Sequence, residues 1–290
     1  MVALTYHAPT TLDEAVSLLS NATLPAKVMS GGTDLIIQMQ RMIDSERLIV
    51  DVKKIPELTT ASLSAEGLTL GPALCCSKFT RRDDIKQRFP GLVEAAYLIG
   101  STQVQGRASI GGNLCNASPA ADTIPALIAN NAICRIHGAG GERRIAVEKF
   151  VTGVGQNCLE EGELLASIEI PAPAVRTKDA YLRFIPRTEM DIAVAGAAVS
   201  VTLDEQGTCI AARVAIGAVA PTALLVPAAA EALVGSRLED GALAKASAAV
   251  SEAASPITDR RGTADFRRHV VGVLTKRAAK IAAERAGEGE

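Results

Sequence analysis

The sequence predicts an α+β protein of two domains, and three observations predict it. Its 290 residues exceed one typical domain of about 150 residues. The chain up to about residue 170 mixes helical and strand-like segments, whereas the remainder runs strands first and helices after. Between them stands a Pro171-Ala172-Pro173 stop followed by polar Arg176-Thr177-Lys178-Asp179. The domains are therefore expected at 1–175 and 176–290.

In order along the chain, Thr11-Leu12-Asp13-Glu14 is a capping box that opens a helix through residue 19. Residues 27–29 form a brief strand that ends in the first glycine turn. Leu35, Ile36, Met39 and Met42 follow at helical spacing, and 48–52 reads as a buried strand. These pieces make one compact unit over roughly the first 55 residues. Residues 63–70 alternate around a turn at Glu66-Gly67. Ser77 is a plausible N-cap for a helix from residue 78, and 92–99 reads as another helix. Residues 100–122 are polar and glycine-rich, too long for a mere connection. A helix over 123–130 and strands over 132–137 and 164–170 complete the first domain. Gly138-Ala139-Gly140-Gly141 reads as a strand-to-strand turn. Beyond the boundary, runs at 181–185, 193–203 and 211–219 suggest an antiparallel sheet. Helices near 228–234, 243–254 and 264–285 follow.

Composition narrows the function. Thirty Lys+Arg against 32 Asp+Glu leave a net charge of −2, without the basic field a nucleic-acid partner needs. Five Phe, three Tyr and no Trp offer little for base stacking. An aromatic ligand must then be gripped mostly by aliphatic side chains and backbone. No signal peptide is visible, and no apolar run reaches the roughly 18–20 residues of a membrane span. The six cysteines form no C-x-x-C and lie at no metal-ligand spacing with histidine. They read as reduced thiols of a cytoplasmic protein.

Two turns carry the main chemical signal: Ser30-Gly31-Gly32-Thr33-Asp34-Leu35 and Ser109-Ile110-Gly111-Gly112-Asn113. Glycine lets the backbone take positive φ and approach a ligand closely. Successive N–H groups can then converge on an anion such as a phosphate. A helix beginning just after the first turn adds its free amides. The Thr33 and Ser109 hydroxyls and the Asn113 amide are further donors. Two such turns, face to face, suit a diphosphate without a basic cluster. Taken singly, each pair is also compatible with a plain turn. Neither carries G-x-G-x-x-G, and Gly106 and Gly111, at P-loop spacing, lack the lysine that would follow.

Other constellations are weaker. His7, His137 and His269 are scattered without triad partners. Asp122 can serve a ribose or ribityl hydroxyl, or the N-terminus of the helix at Thr123, or both. Arg260, Arg261, Arg267, Arg268, Lys276, Arg277 and Lys280 read as a solvated or partner-facing helix surface.

Several segments together resemble the FAD-binding (medium) subunits of molybdenum hydroxylases. Residues 30–35 resemble the first flavin loop and 109–122 the second. Further matches are 164–171, Arg187-Thr188-Glu189-Met190-Asp191-Ile192-Ala193, and 259–267. Their order spans nearly the whole chain. The look-alikes include the medium subunit of carbon monoxide dehydrogenase and the flavin subunit of bacterial xanthine dehydrogenases.

The resemblance implies a PCMH-like FAD-binding domain of two subdomains, about 1–55 and 56–175. It also implies a C-terminal domain with a three-stranded antiparallel sheet and helices. By matching position, FAD contacts fall on Gly31, Gly32, Thr33, Asp34 and Leu35 in the first loop. Ser109, Gly112, Asn113 and Asp122 match in the second. Val104 precedes it where the family has flavin contacts. Leu165 and Ile192 stand where the family places side chains near the cofactor, Ile192 where carbon monoxide dehydrogenase relatives carry Tyr. Val194 replaces a lysine of animal xanthine-oxidising enzymes, a departure that bears on the flavin's surroundings. The Cys-rich insertion of aromatic thioester reductases is not evident.

The implied role is electron transfer. A large partner subunit would hold molybdopterin-bound Mo, and a small one two 2Fe–2S clusters, in a dimer of heterotrimers. FAD in this chain would pass electrons to an external acceptor. The alternative is a stand-alone FAD-dependent oxidoreductase with its own substrate pocket.

Overall fold

The computed structural model describes residues 4–40 and 46–288. Met42, in the helical spacing after the first glycine turn, lies outside them. The first unit holds β1 (Leu4–His7), α1 (Leu12–Ser20), β2 (Ala26–Met29), α2 (Leu35–Gln40) and β3 (Arg47–Asp51). Its sheet is parallel in the order β1-β3-β2, so each strand leads to the next through a helical crossover. Thr11 caps α1 as expected, its hydroxyl accepting from Glu14 N at 3.2 Å. The return bond differs from a strict capping box, because Glu14 accepts from Thr10 N rather than Thr11 N. Ala15, Val16 and Leu19 of α1 pack on Leu48 and Val50 of β3 and on Ile55 and Leu58 beyond it.

The second unit is built on β4 (Ala61–Leu63), β5 (Gly67–Leu70), β6 (Ile133–Gly138), β7 (Gly141–Ala146) and β10 (Leu164–Pro171). They pair antiparallel in the order β4-β5-β10-β6-β7. Between β5 and β6 run α3 (Cys76–Phe79), α4 (Asp83–Arg88), α5 (Pro90–Tyr97), α6 (Thr102–Gln105), α7 (Ile110–Asn116) and α8 (Thr123–Ala129). A small ribbon, β8 (Val151–Gly153) and β9 (Gln156–Asn157), precedes β10. The stretch 100–122 is thus no open turn, because it contains α6 and α7. The cap proposed at Ser77 falls inside α3, which starts one residue earlier with Cys75 as N-cap. Backbone pairing decides this, since Cys76 N donates to Ala108 O at 2.8 Å.

The third unit pairs β11 (Thr177–Phe184), β12 (Ala195–Leu203), β13 (Cys209–Gly217) and β14 (Leu224–Leu225). Three long antiparallel strands were expected, and the two-residue β14 adds a fourth against Ala215 and Ile216. Helices α9 (Pro227–Leu233), α10 (Asp240–Ala253) and α11 (Ala264–Gly287) follow. In α11, Val271, Leu274, Ala278, Ala279, Ala282 and Ala286 are buried. They recur at three- and four-residue steps, one face of a helix. Alanines there bring the helix close to the sheet.

The second core does not stop at the sequence boundary. Tyr181, Ala198 and Ala215 of the third unit join the same apolar cluster as Ile124 and Leu127 of α8. Polar contacts reinforce the seam. The buried Asp179 carboxylate accepts from Gly91 N and Leu92 N, at 2.9 and 3.0 Å, and from Asn130 Nδ2 at 2.7 Å. It thereby satisfies free amides at the start of α5, where an anion is favourable.

Candidate functional site

The two glycine turns meet. Strand β2 delivers Ser30, and α7 begins after Ser109. Their hydroxyl oxygens lie 2.8 Å apart, although 79 residues separate them in sequence. Gly31 is pressed on the chain just before the second turn. A Cβ there would stand 1.9 Å from Arg107 O, so only glycine permits the approach. Gly32 has φ +77°, a left-handed conformation costly for other residues. Gln38 of α2 donates to Asn116 Oδ1 of α7 at 2.9 Å, a second tie between the turns.

Ser109 is the N-cap of α7, and its hydroxyl accepts from Gly112 N at 3.0 Å. That hydroxyl is committed inside the protein, as is the Asn113 carbonyl oxygen, which accepts from Thr123 Oγ1 at 2.7 Å. The Asn113 NH2 group keeps its donors. The N–H groups of Gly31, Gly32, Thr33 and Asp34 find no acceptor among the described residues. A Cβ on Gly112 would project toward the first turn, 2.9 Å from Ser109 Oγ and 3.9 Å from Ser30 Cβ. Free backbone donors in one turn, with a glycine in the turn it meets, fit an extended anion.

The remaining candidates lie on other elements. Val104, half-buried in α6, lies against Gly100. Leu165 is buried on β10 opposite Ile136, at a bulge. Ile192 is 52% exposed, in the loop between β11 and β12. Asp191 next to it accepts from Ile192 N at 2.8 Å and from Arg187 Nε at 3.2 Å, and pairs with Arg261 at 3.6 Å.

Asp122 departs from the capping reading. Its own backbone is helical and its side chain makes no cap bond to α8. Its carboxylate instead accepts from Arg183 Nη1 at 2.6 Å and Tyr181 Oη at 2.9 Å, both on β11. Burial pushes its pKa up to about 6, with the Arg183 charge and both hydrogen bonds pulling the other way. The Arg183 Nε is buried without a protein acceptor. The solvated reading of the C-terminal basic residues also needs correction at Arg267. It is only 4% exposed, with bonds to Val194 O at 2.9 Å and Asp259 at 2.7 Å.

Sequence reading missed Lys53. Its ammonium donates to Ser30 O at 2.8 Å and to Asp51 Oδ1 at 2.7 Å, while Tyr6 Oη donates to Asp51 Oδ2 at 2.6 Å. The available signal was strand pairing. If β2 and β3 are neighbours, the residues just past their ends are neighbours too.

Known proteins match this chain over nearly its whole length. The family described as the FAD binding domain in molybdopterin dehydrogenase matches residues 2–173, and the CO dehydrogenase flavoprotein C-terminal domain matches 180–282. The chain belongs to the FAD-binding subunits of the molybdenum hydroxylases. This FAD-binding subunit is 31% identical, over 97% of both chains, to the xanthine dehydrogenase FAD-binding subunit of Escherichia coli O157:H7. It is 32% identical, over 96% of both, to the carbon monoxide dehydrogenase medium chain of Hydrogenophaga pseudoflava. A crystal structure of the Cu,Mo-CO dehydrogenase contains a chain that superposes with TM-score 0.93 at 30% identity, covering 98% of this chain and 99% of that one. Quinoline 2-oxidoreductase from Pseudomonas putida 86 gives 0.90 at 27% identity, with 98% of each chain covered. The FAD-binding subunit is thus part of an oxidoreductase. Among its described residues, no helix is long and apolar enough to cross a membrane, and no group of three or more His, Cys, Asp or Glu is placed to hold a metal ion.

Proposed function

We propose that this chain is the electron-transfer module of a multi-subunit molybdenum hydroxylase, with the FAD diphosphate held between its two glycine turns. The observation that carries the reading is the junction at Ser30 and Ser109, where the turn with the free amides meets the turn that holds Gly112. Bound there, FAD supplies electron exchange between iron–sulfur clusters of a partner and an external acceptor. The chain's own residues bind and orient. Gly31, Gly32, Thr33 and Asp34 offer backbone donors to the diphosphate, and Leu35 starts the helix whose N-terminal end faces it. On the opposite side Gly112 leaves room and Asn113 offers its NH2. Asp122, held by Arg183, would be the acid that meets a ribityl hydroxyl. Val104, Leu165 and Ile192 supply aliphatic surface for a flavin ring, which suits a chain poor in aromatics.

The reading extends to the assembly: a large molybdopterin subunit and a small subunit with two 2Fe–2S clusters, as a dimer of heterotrimers in the cytoplasm. The division at 175/176, with subdomains 1–55 and 56–175, is part of the same proposal. Support comes from the separate sheets and from the two family matches on either side. The shared core through Tyr181 and Ala198 ties the halves firmly.

The test is Gly112→Trp in the full chain. Wild type should purify yellow or take up FAD under native conditions, while the variant keeps its far-UV spectrum and binds no flavin. Full flavin occupancy in the variant would falsify the diphosphate assignment. Substrate turnover by the isolated chain would instead favour a stand-alone oxidoreductase.

A further inference from the structure

The structure points to one residue outside both turns as part of this site. We propose that Lys53 is a positioning residue that locks the Ser30–Gly31 peptide so that the Gly31 N–H faces the FAD diphosphate. The proposal rests on the diphosphate reading above.

Ser30 O and the Gly31 N–H belong to one planar group and point in opposite directions when it is trans, and the described residues contain no cis peptide. Holding the oxygen therefore aims the hydrogen. Lys53 Nζ holds that oxygen at 2.8 Å. The Gly31 N–H has no acceptor among the described residues, so it is left for a ligand.

Such a lock is needed at this position. A peptide plane can rotate without moving its neighbours, most easily beside glycine. The Gly31 Cα is fixed by its seat on Arg107 O, but that seat does not fix the plane between residues 30 and 31. A contact on the carbonyl does.

Lys53 is itself held. Asp51 takes a second ammonium hydrogen at 2.7 Å, and its other oxygen is held by Tyr6 at 2.6 Å. Asp51 is buried, and the Lys53 side chain is 28% exposed. The ammonium has three donors, of which two are used. Its charge is largely offset by Asp51, so its main contribution is geometric rather than long-range attraction.

The experiment uses the full chain and compares Lys53→Met, Lys53→Arg and wild type by calorimetric titration with FAD, ADP and riboflavin. A hydrogen bond to a charged group is worth enough that mis-aiming one amide should weaken FAD and ADP by about tenfold or more. Riboflavin, which lacks the diphosphate, should bind all three proteins alike, and Lys53→Arg should recover most of the loss. With 15N-glycine labelling, FAD should shift the Gly31 amide in wild type far more than in Lys53→Met, while Gly112 responds alike in both. If Lys53→Met does not fold, Lys53→Gln takes its place. FAD affinity within twofold of wild type, or an equal loss for riboflavin, overturns the lock while leaving the diphosphate reading intact. A wild-type chain that binds neither FAD nor ADP overturns both.

Discussion

In the first turn, Gly32 adopts φ +77° outside any helix, whereas in the second both glycines lie in the first turn of α7. In each pair one glycine serves close approach. Gly31 rests on Arg107 O, which belongs to the chain entering the other turn. Gly111 rests on Pro72, inside its own subdomain, where a Cβ would meet Pro72 Cβ at 2.2 Å and Cα at 2.5 Å. The second turn is therefore anchored in a core, and the first hangs on the second. The same dipeptide serves as a structural seat in one place and as a docked flap in the other. The pair is thus not one motif with one energy.

The largest effect should come from breaking the seat. Gly111→Ala places a methyl against a ring and backbone that cannot withdraw, an overpacking cost of about 3 kcal/mol. Urea denaturation of the full chain should show the midpoint falling accordingly. An unchanged midpoint would mean that α7 slides freely over Pro72, and the contrast between the two turns would be lost.

Much of this was legible in the sequence, but not evenly. Helices α8, α10 and α11 follow from apolar spacing, and β10, β12 and β13 from apolar runs, because burial imposes those patterns. Strand β1 escaped notice. Its four residues are all exposed, so no burial pattern marks them and pairing with β3 alone makes the strand. Strand β7, Gly141–Ala146, escaped for a related reason. It is rich in charge, with Arg143 paired to Glu163 at 2.6 Å and Arg144 paired to Glu169. At the site, local strings revealed the turns because glycine chemistry is local. Lys53, Arg183 and the true partners of Asp122 were hidden because their contacts span 23 to 61 residues.

Asp122 and Asp51 respond to pH with opposite sign. Burial raises Asp122 to about 6, against about 3.9 when unfolded. Between those values the folded chain holds the extra proton, so this group's contribution to stability falls as pH rises from about 4 to 6. The loss is on the order of 3 kcal/mol and is complete above that window. Asp51 behaves in reverse. Desolvation pushes it up, but the hydrogen bonds from Lys53 and Tyr6 and the Lys53 charge outweigh it and hold it below the usual carboxylate range. Its contribution is present above the unfolded pKa and is lost as pH falls through the lowered one. Thermal melts of wild type and Asp122→Asn across pH 4–7 should converge or cross as pH rises, since the variant lacks the penalty. Parallel curves would show that Asp122 does not titrate in that window.

The smallest effect concerns the contact that joins the turns. The two hydroxyls at Ser30 and Ser109 are 2.8 Å apart and partly buried, so their hydrogen bond is worth about 0.5–1.5 kcal/mol. Ser109→Ala loses this bond and an N-cap worth about 1 kcal/mol, whereas Ser30→Ala loses the bond alone. A double-mutant cycle on denaturation free energies separates the two contributions. If the first turn hangs on the second, the cycle should return a coupling of that size. FAD affinity should fall further in the double variant than the stability coupling alone accounts for, since both halves of the gap are then free to part. Zero coupling in both measurements would mean that Gly31 on Arg107 O is sufficient to dock the flap, and that the hydroxyl pair follows from the docking rather than causing it.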